Sequence, residues 1–304
     1  MNIKKYFCFF LISVFSVSSL YSQTRKIKKA GDKTAFTANG ISFNMIYVPG
    51  NLTFPTGKND EGIAKVDKAY WIGEKLVSYE LWYKVKTWAE KNGYIFANEG
   101  SKPSDYDNVT EISWRDAMVF SNALTEWYNA ANRKKYTCAY YVDKNFTTPI
   151  RGVNNSGTIS AEGGASNGTE DGPYIKTNAT GFRLLSNNEW ELAIRYRGNS
   201  NNNTCGEKAC LKIGEYFWMP GYFHIHTDIE NIKELHPNPL GIYDIGWPEW
   251  CFDAYSSSRT PSSGLRVIRG FVGEGFTDYI RLGLVVCKKP YQTEQAFRMS
   301  RTDL

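Results

Sequence analysis

Apolar and polar positions sort along the chain into helical and strand-like stretches. Residues 41–48 alternate and read as a strand, and residues 66–72 read as a second one. Ser78 is suited to cap a helix that runs to Lys91. Leu81, Trp82, Val85, Trp88 and Ala89 share one face of it, and Asn92-Gly93 stops it. Ser113-Trp-Arg-Asp116 resembles a capping box with Asp at its fourth position. It opens a helix to about Ala131 with Trp114, Ala117, Met118, Leu124, Trp127 and Ala131 as an apolar stripe, read as core. Ser186-Asn-Asn-Glu189 is a second capping box, starting a helix through Arg197 with Trp190, Ala193 and Ile194 facing inward. Glu191 and Arg195, four residues apart, predict a modest surface pair. Residues 152–172 and 198–208 are rich in polar and turn-forming residues. The first reads as a long surface loop or insertion, the second as a polar loop. Beyond Tyr216 the pattern breaks into short strands and long loops. Few helices and long connections predict an irregular α+β fold.

One stretch is not explained by periodicity: Asn238-Pro-Leu-Gly-Ile-Tyr-Asp-Ile-Gly-Trp-Pro-Glu-Trp-Cys-Phe-Asp253. Asn238, Pro239 and Gly241 read as a turn. Ile242, Tyr243 and Ile245 read as a short buried strand. Gly246 to Trp250 then predicts a rigid loop carrying two large rings and one carboxylate. Such rings are found in cores and at binding surfaces alike. Glu249 between Trp247 and Trp250 reads either as an acid with a raised pKa or as a buried carboxylate that holds the loop.

Composition sharpens this picture. Aromatic residues make up 15% of the 304-residue chain, with 20 Tyr and 9 Trp, so many rings must lie near the surface. The net charge of +5 is partly local, in Arg25-Lys26-Ile27-Lys28-Lys29 and Arg133-Lys134-Lys135. No helix carries a basic face interleaved with aromatics, so a nucleic-acid partner is not expected. Lys4 and Lys5, the apolar run from Phe7 to Leu20, and Ser22 before Gln23 read as a signal peptide over residues 1–22. Export to the periplasm, the cell surface or the medium follows, with an uncleaved anchor as the alternative. No other stretch is apolar enough for a membrane span. Residues 23–37 read as a flexible leader and 38–304 as a single domain.

Cys8 leaves with the signal. The remaining Cys138, Cys205, Cys210, Cys251 and Cys287 are an odd number, so at least one stays a thiol or bonds another chain. Cys205 and Cys210 sit in a polar loop and are candidates for a local disulfide. Cys251 and Cys287 read either as a disulfide or as free thiols. His224, His226 and His236 are the only histidines. The first two, with Asp228, allow a zinc or copper site, and a polar loop is the alternative.

The stretch at 238–253 resembles the hallmark N-x-x-G-L-Y-D-M-x-G-N-V-W-E-W of the formylglycine-generating enzyme (sulfatase-modifying factor) family. Gly181-Phe-Arg-Leu-Leu-Ser-Asn-Asn-Glu-Trp-Glu-Leu-Ala193, Arg266-Val-Ile-Arg-Gly270 and Ala296-Phe-Arg298 are similar to three further motifs, in the family's order. Met45 to Gly50, Tyr70-Trp-Ile72 and Ile112 to Ala117 are similar to its N-terminal half. The resemblance covers roughly residues 40 to 302. It implies a C-type-lectin-like fold in which loops around small sheets build the site. It also implies oxidation of a sulfatase cysteine to formylglycine, with two thiolates holding copper(I), a metal that soft ligands select.

This chain departs from the motif where it matters. Gly275 and Ile280 stand where the two copper cysteines would fall, so copper is not expected. The calcium loop of the family is shortened and lacks its Asn, leaving Asp244 and Glu249 as possible calcium ligands. Family relatives that make sulfoxides use iron-binding histidines, and no matching histidine-rich motif is present. The family scaffold also serves variable receptors. The expectation is therefore a non-catalytic binding protein for a protein, peptide or glycan. Trp247, Glu249, Trp250, Phe271, Phe276, Tyr279 and Tyr291 are its candidate contacts in the C-terminal loops. The alternative is a formylglycine-generating oxidase, which requires Cys251 and Cys287 to meet.

Overall fold

The structure is a computed structural model, and it describes residues 27–57, 61–104, 107–154, 165–196, 210–212, 238–243, 247–255, 264–270, 279–281 and 285–303. In chain order the elements begin with strands β1 (Lys33–Ala38), β2 (Ile41–Val48), β3 (Leu52–Thr56), β4 (Gly62–Val66) and β5 (Tyr70–Gly73). Helices α1 (Tyr79–Glu90) and α2 (Trp114–Asn132) follow. Next come β6 (Tyr140–Tyr141), β7 (Tyr174–Ile175), β8 (Arg183–Leu184), α3 (Asn187–Arg195) and β9 (Cys210–Lys212). The C-terminal part holds β10 (Glu249–Ala254), β11 (Arg266–Arg269), β12 (Tyr279–Arg281), β13 (Val286–Lys288), β14 (Ala296–Phe297) and β15 (Met299–Thr302).

Local signals place the helices. The Ser78 hydroxyl accepts from the Leu81 amide at 3.2 Å and starts α1. Ser113 and Asp116 form a reciprocal capping box for α2, with Asp in place of the usual Glu. The same Asp116 carboxylate also accepts from the Ala97 amide at 2.7 Å, so the cap ties α2 to the segment after α1. Ser186 and Glu189 form the second capping box, at α3. Arg133 adopts a left-handed conformation, φ 51°, and ends α2.

The largest sheet has the order β1-β2-β5-β15-β8, so the last strand of the chain lies between strands from its first and middle thirds. A second sheet has the order β13-β11-β10-β14, with β10 and β11 antiparallel and β14 parallel to β10. One core cluster packs α1 and α2 against the large sheet through Trp82, Trp114, Phe120, Phe182 and Phe297. A second lies under α3, with Ile46, Tyr70, Ile72, Trp190, Ile242 and Val267. Burial of such large rings is the main favourable term holding the sheets to the helices.

Four expectations are corrected. Residues 33–37 of the expected leader belong to β1, which starts at Lys33 and turns Phe36 and Ala38 inward. A strand with only two apolar side chains gives little alternation to read. The expected strand over 66–72 is two strands, β4 and β5, broken at residues 67–69. No strand forms at Ile242 and Tyr243. Ile242 is buried, and the Tyr243 amide donates to the Glu74 carbonyl at 2.8 Å. Glu191 and Arg195 are no surface pair, for both side chains are fully buried.

Candidate ligand-binding site

The motif stretches converge in the fold, and their charged residues meet one another. Glu249 accepts from Arg298 through both oxygens, at 3.0 Å from Nε and 2.9 Å from Nη2. Arg298 also donates to the carbonyls of Gly73, Glu74 and Tyr243. Glu191 accepts from Arg195 on one oxygen at 2.6 Å and from Arg269 on the other at 2.5 Å. Arg183 forms a two-pronged pair with Glu189, at 2.7 Å for each prong. Burial alone would raise the Glu189 carboxyl. The Arg183 guanidinium outweighs it and holds the carboxyl below the usual carboxylate range. Bidentate arginine–carboxylate pairs suit such interior sites because the planar fork matches both oxygens.

Two of these pairs hold the described residues that flank segments 244–246 and 271–278. Arg269 ends β11, and Gly270 follows with φ +98°, a backbone state open to glycine, where the chain leaves for residues 271–278. At the opposite end of the β10–β11 pair lie Asp253 and Arg266. The Arg266 guanidinium sits 3.9 Å from the Trp114 ring centroid and donates to the carbonyls of Phe252 and Asp171. Its burial lowers its pKa to about 10. Burial also raises the Asp253 carboxyl, against the opposing bond from the Asn187 amide. Arg115 pairs with Glu170 at 2.9 Å and Asp171 at 2.6 Å, and the Tyr291 ring lies 5.7 Å from its guanidinium carbon. Perturbed groups of this kind mark positions where charge is held under desolvation.

The predicted contacts separate into four groups. Trp250 and Glu249 are buried, each 1% exposed, and do not face a ligand. The Trp250 indole donates to the Ile112 carbonyl at 3.2 Å, deep between the sheet and α2. Trp247 and Tyr291 are half-buried at the loop margins. Phe271, Phe276, Gly275 and Asp244 lie outside the described residues, as do Cys205, His224, His226 and His236. Tyr279 and Ile280 lie in β12, which pairs with β9, Ile280 opposite Leu211 and Arg281 opposite Cys210.

The metal expectations meet the same geometry. Calcium at Glu249 does not fit, because a guanidinium already occupies both carboxylate oxygens. Copper held jointly by Cys251 and Cys287 does not fit either. Cys251 is on β10 and Cys287 on β13, and β11 runs between them. Two strand spacings of about 4.8 Å separate their backbones, beyond the ~7 Å at which a disulfide closes. Both are free thiols, as is Cys138. Burial pushes the Cys251 thiol well above its ordinary value, with Arg269 opposing only in part.

Sequence reading picked out the motifs but missed that Arg183, Arg269 and Arg298 pair with Glu189, Glu191 and Glu249. One signal was available: each of these charges stands beside a large apolar residue, in Phe-Arg-Leu-Leu, Glu-Trp-Glu, Trp-Pro-Glu-Trp, Val-Ile-Arg and Ala-Phe-Arg. A charge flanked on both sides by buried positions needs an interior partner.

Solved structures share this architecture. Treponema denticola variable protein 1 superposes with a TM-score of 0.60 at 21% identity, over 89% of this chain and 99% of that one. CarF superposes with a TM-score of 0.60 at 19% identity, over 86% of this chain and 99% of its own. At such identities the likeness is one of fold. No curated protein sequence matches the chain. Residues 35–303 match the FGE-sulfatase family, described as the sulfatase-modifying factor enzyme 1-like domain. With nearly the whole chain inside that match, and its motifs joined by buried ion pairs, the protein belongs to the sulfatase-modifying factor enzyme 1-like family.

Proposed function

We propose that this chain is an exported, non-catalytic member of its family that binds a protein, peptide or glycan through its C-terminal loops. The observation that carries the reading is in the sequence: Gly275 and Ile280 occupy the positions of the two copper cysteines, and neither side chain ligates a metal. The thiols on β10 and β13 are no substitute, since β11 keeps them apart. Rigid stems support the binding half of the reading. Glu249–Arg298 and Glu191–Arg269 anchor the segments from which residues 244–246 and 271–278 depart, and aromatic loops on a fixed scaffold bind at low entropic cost.

The test pairs metal analysis with turnover. The mature protein, purified with and without added Cu(I), is assayed for bound copper and for loss of the thiol from a peptide carrying C-x-P-x-R. Neither copper at stoichiometric level nor thiol loss is expected. Copper together with thiol loss would overturn the proposal. In parallel, glycan and peptide arrays probed with the native chain and with a Phe271→Ala, Phe276→Ala variant test the loops. Signals that persist unchanged in the variant would remove these two rings from the site.

A further inference from the structure

The two basic runs of the sequence, one before β1 and one after α2, are far apart in the chain but meet in the fold. Lys28 from the first and Lys135 from the second line one surface cleft of about 440 Å³, and Arg301 of β15 stands in it with them. We propose that this cleft is a binding site for an acidic saccharide, with Arg301 receiving its carboxylate or sulfate group. This proposal does not depend on the preceding one.

Arg301 is held as a receptor for an oxyanion. Its Nε donates to the Thr180 carbonyl at 2.5 Å, and its guanidinium lies 4.1 Å from the Tyr136 ring centroid and 5.6 Å from that of Phe36. These contacts fix the plane of the fork. Its two terminal nitrogens meet no acceptor among the described residues. A planar fork with both tips open is suited to two-pronged recognition of a carboxylate or sulfate. The surrounding charge favours an anion too. The one carboxylate in the cleft, Asp303, is already bound by Lys28 and by the Trp71 indole, the latter at 3.0 Å. Arg301 and the exposed Lys135 are left without a counter-charge there.

The volume suits a small molecule or a short oligosaccharide rather than a protein face. A peptide added as an extra strand on β1 is disfavoured, because the Asn132 side chain already takes the Thr37 carbonyl at 3.0 Å. The hydroxyl-bearing Thr34 and Thr180 line the cleft beside the arginine and match the hydroxyls of a sugar.

Calorimetric titration at fixed ionic strength tests this. The probes are a uronic-acid oligosaccharide, its neutral counterpart and sodium sulfate. Arg301→Gln, Arg301→Lys and Lys135→Gln change the cleft, and Lys134→Gln, which does not line it, is the control. The acidic oligosaccharide is expected to bind about tenfold or more tighter than the neutral one, and Arg301→Gln to lose about that factor. Arg301→Lys loses most of it, because charge without the fork is not enough, while Lys134→Gln binds as the native chain does. Lys135 is exposed, so a weakened Lys135→Gln reports on binding without disturbing the fold. Equal losses in Lys134→Gln and Lys135→Gln would mean diffuse charge and overturn the site. So would equal affinity for the neutral sugar, no binding of either sugar, or sulfate binding as tightly as the acidic one.

Discussion

Arg298 and Arg301 stand three residues apart near the C-terminus and meet opposite surroundings. Arg298 is fully buried and donates to both oxygens of Glu249 and to three backbone carbonyls. Arg301 is half-buried, donates to a single carbonyl, and stacks on Tyr136. The first arginine can be inside only because its charge and donors are matched. An unmatched interior charge is too costly to keep. The second keeps spare donors because water can serve them, and those donors are what a ligand can use. The same division runs through the molecule. Glu191 is shared between Arg195 and Arg269 without exposure, whereas the basic runs around Lys28 and Lys135 gather at a cleft. Chemical type alone says little about an arginine here, and its surroundings set its use.

The comparison can be broken most directly at Arg298. Arg298→Met removes the guanidinium that donates to both oxygens of the buried Glu249, and urea denaturation is expected to show a loss of about 3–5 kcal/mol. The double variant Glu249→Leu, Arg298→Met should be less destabilised than Arg298→Met, because both members of the buried charge pair are removed together. A single variant within about 0.5 kcal/mol of native would sink the frame interpretation. Arg269→Met comes next, at about 1–3 kcal/mol, since Glu191 keeps Arg195. A loss equal to that of Arg298→Met would mean that Arg195 does not share the load.

Acid provides the third test. The folded Glu189 carboxyl lies below its ordinary value of 4.5, so the unfolded chain binds more protons there as the pH drops. The stabilisation is complete above that value and is lost as the pH falls through the folded pKa. Glu189→Gln should flatten that part of the stability profile, and an unchanged acid slope would contradict the Arg183 pairing. The smallest effect belongs to Arg301→Gln, expected within about 0.5 kcal/mol of native stability despite its effect on anion binding. A large loss would place Arg301 with the frame instead.

Helices were the most legible part of the fold. Ser78, Ser113 and Ser186 each cap the helix that their position predicts, because a cap is decided within four residues. Most of the α2 stripe was legible too: Trp114, Ala117, Met118, Leu124 and Trp127 are buried, whereas Ala131 at its end is exposed. Strand β1 was not, since Phe36 and Ala38 alone carry its inward face. At the candidate site, spacing singled out Glu249 and Trp250 but not their direction. A carboxylate between two tryptophans looks the same on the chain whether it faces solvent or Arg298, which arrives from 49 residues away.

By itself, then, the sequence determined the family motifs and the helix starts, which are local or positional, and it places Gly and Ile, not Cys, at positions 275 and 280. Tertiary structure decided the partners. It turned the motif charges inward onto one another, held Cys251 and Cys287 apart with β11, and brought Lys28, Lys135 and Arg301 to one cleft. Such pairings join residues far apart in the chain, and the shared burial that makes them strong exists only once the sheets and helices have packed.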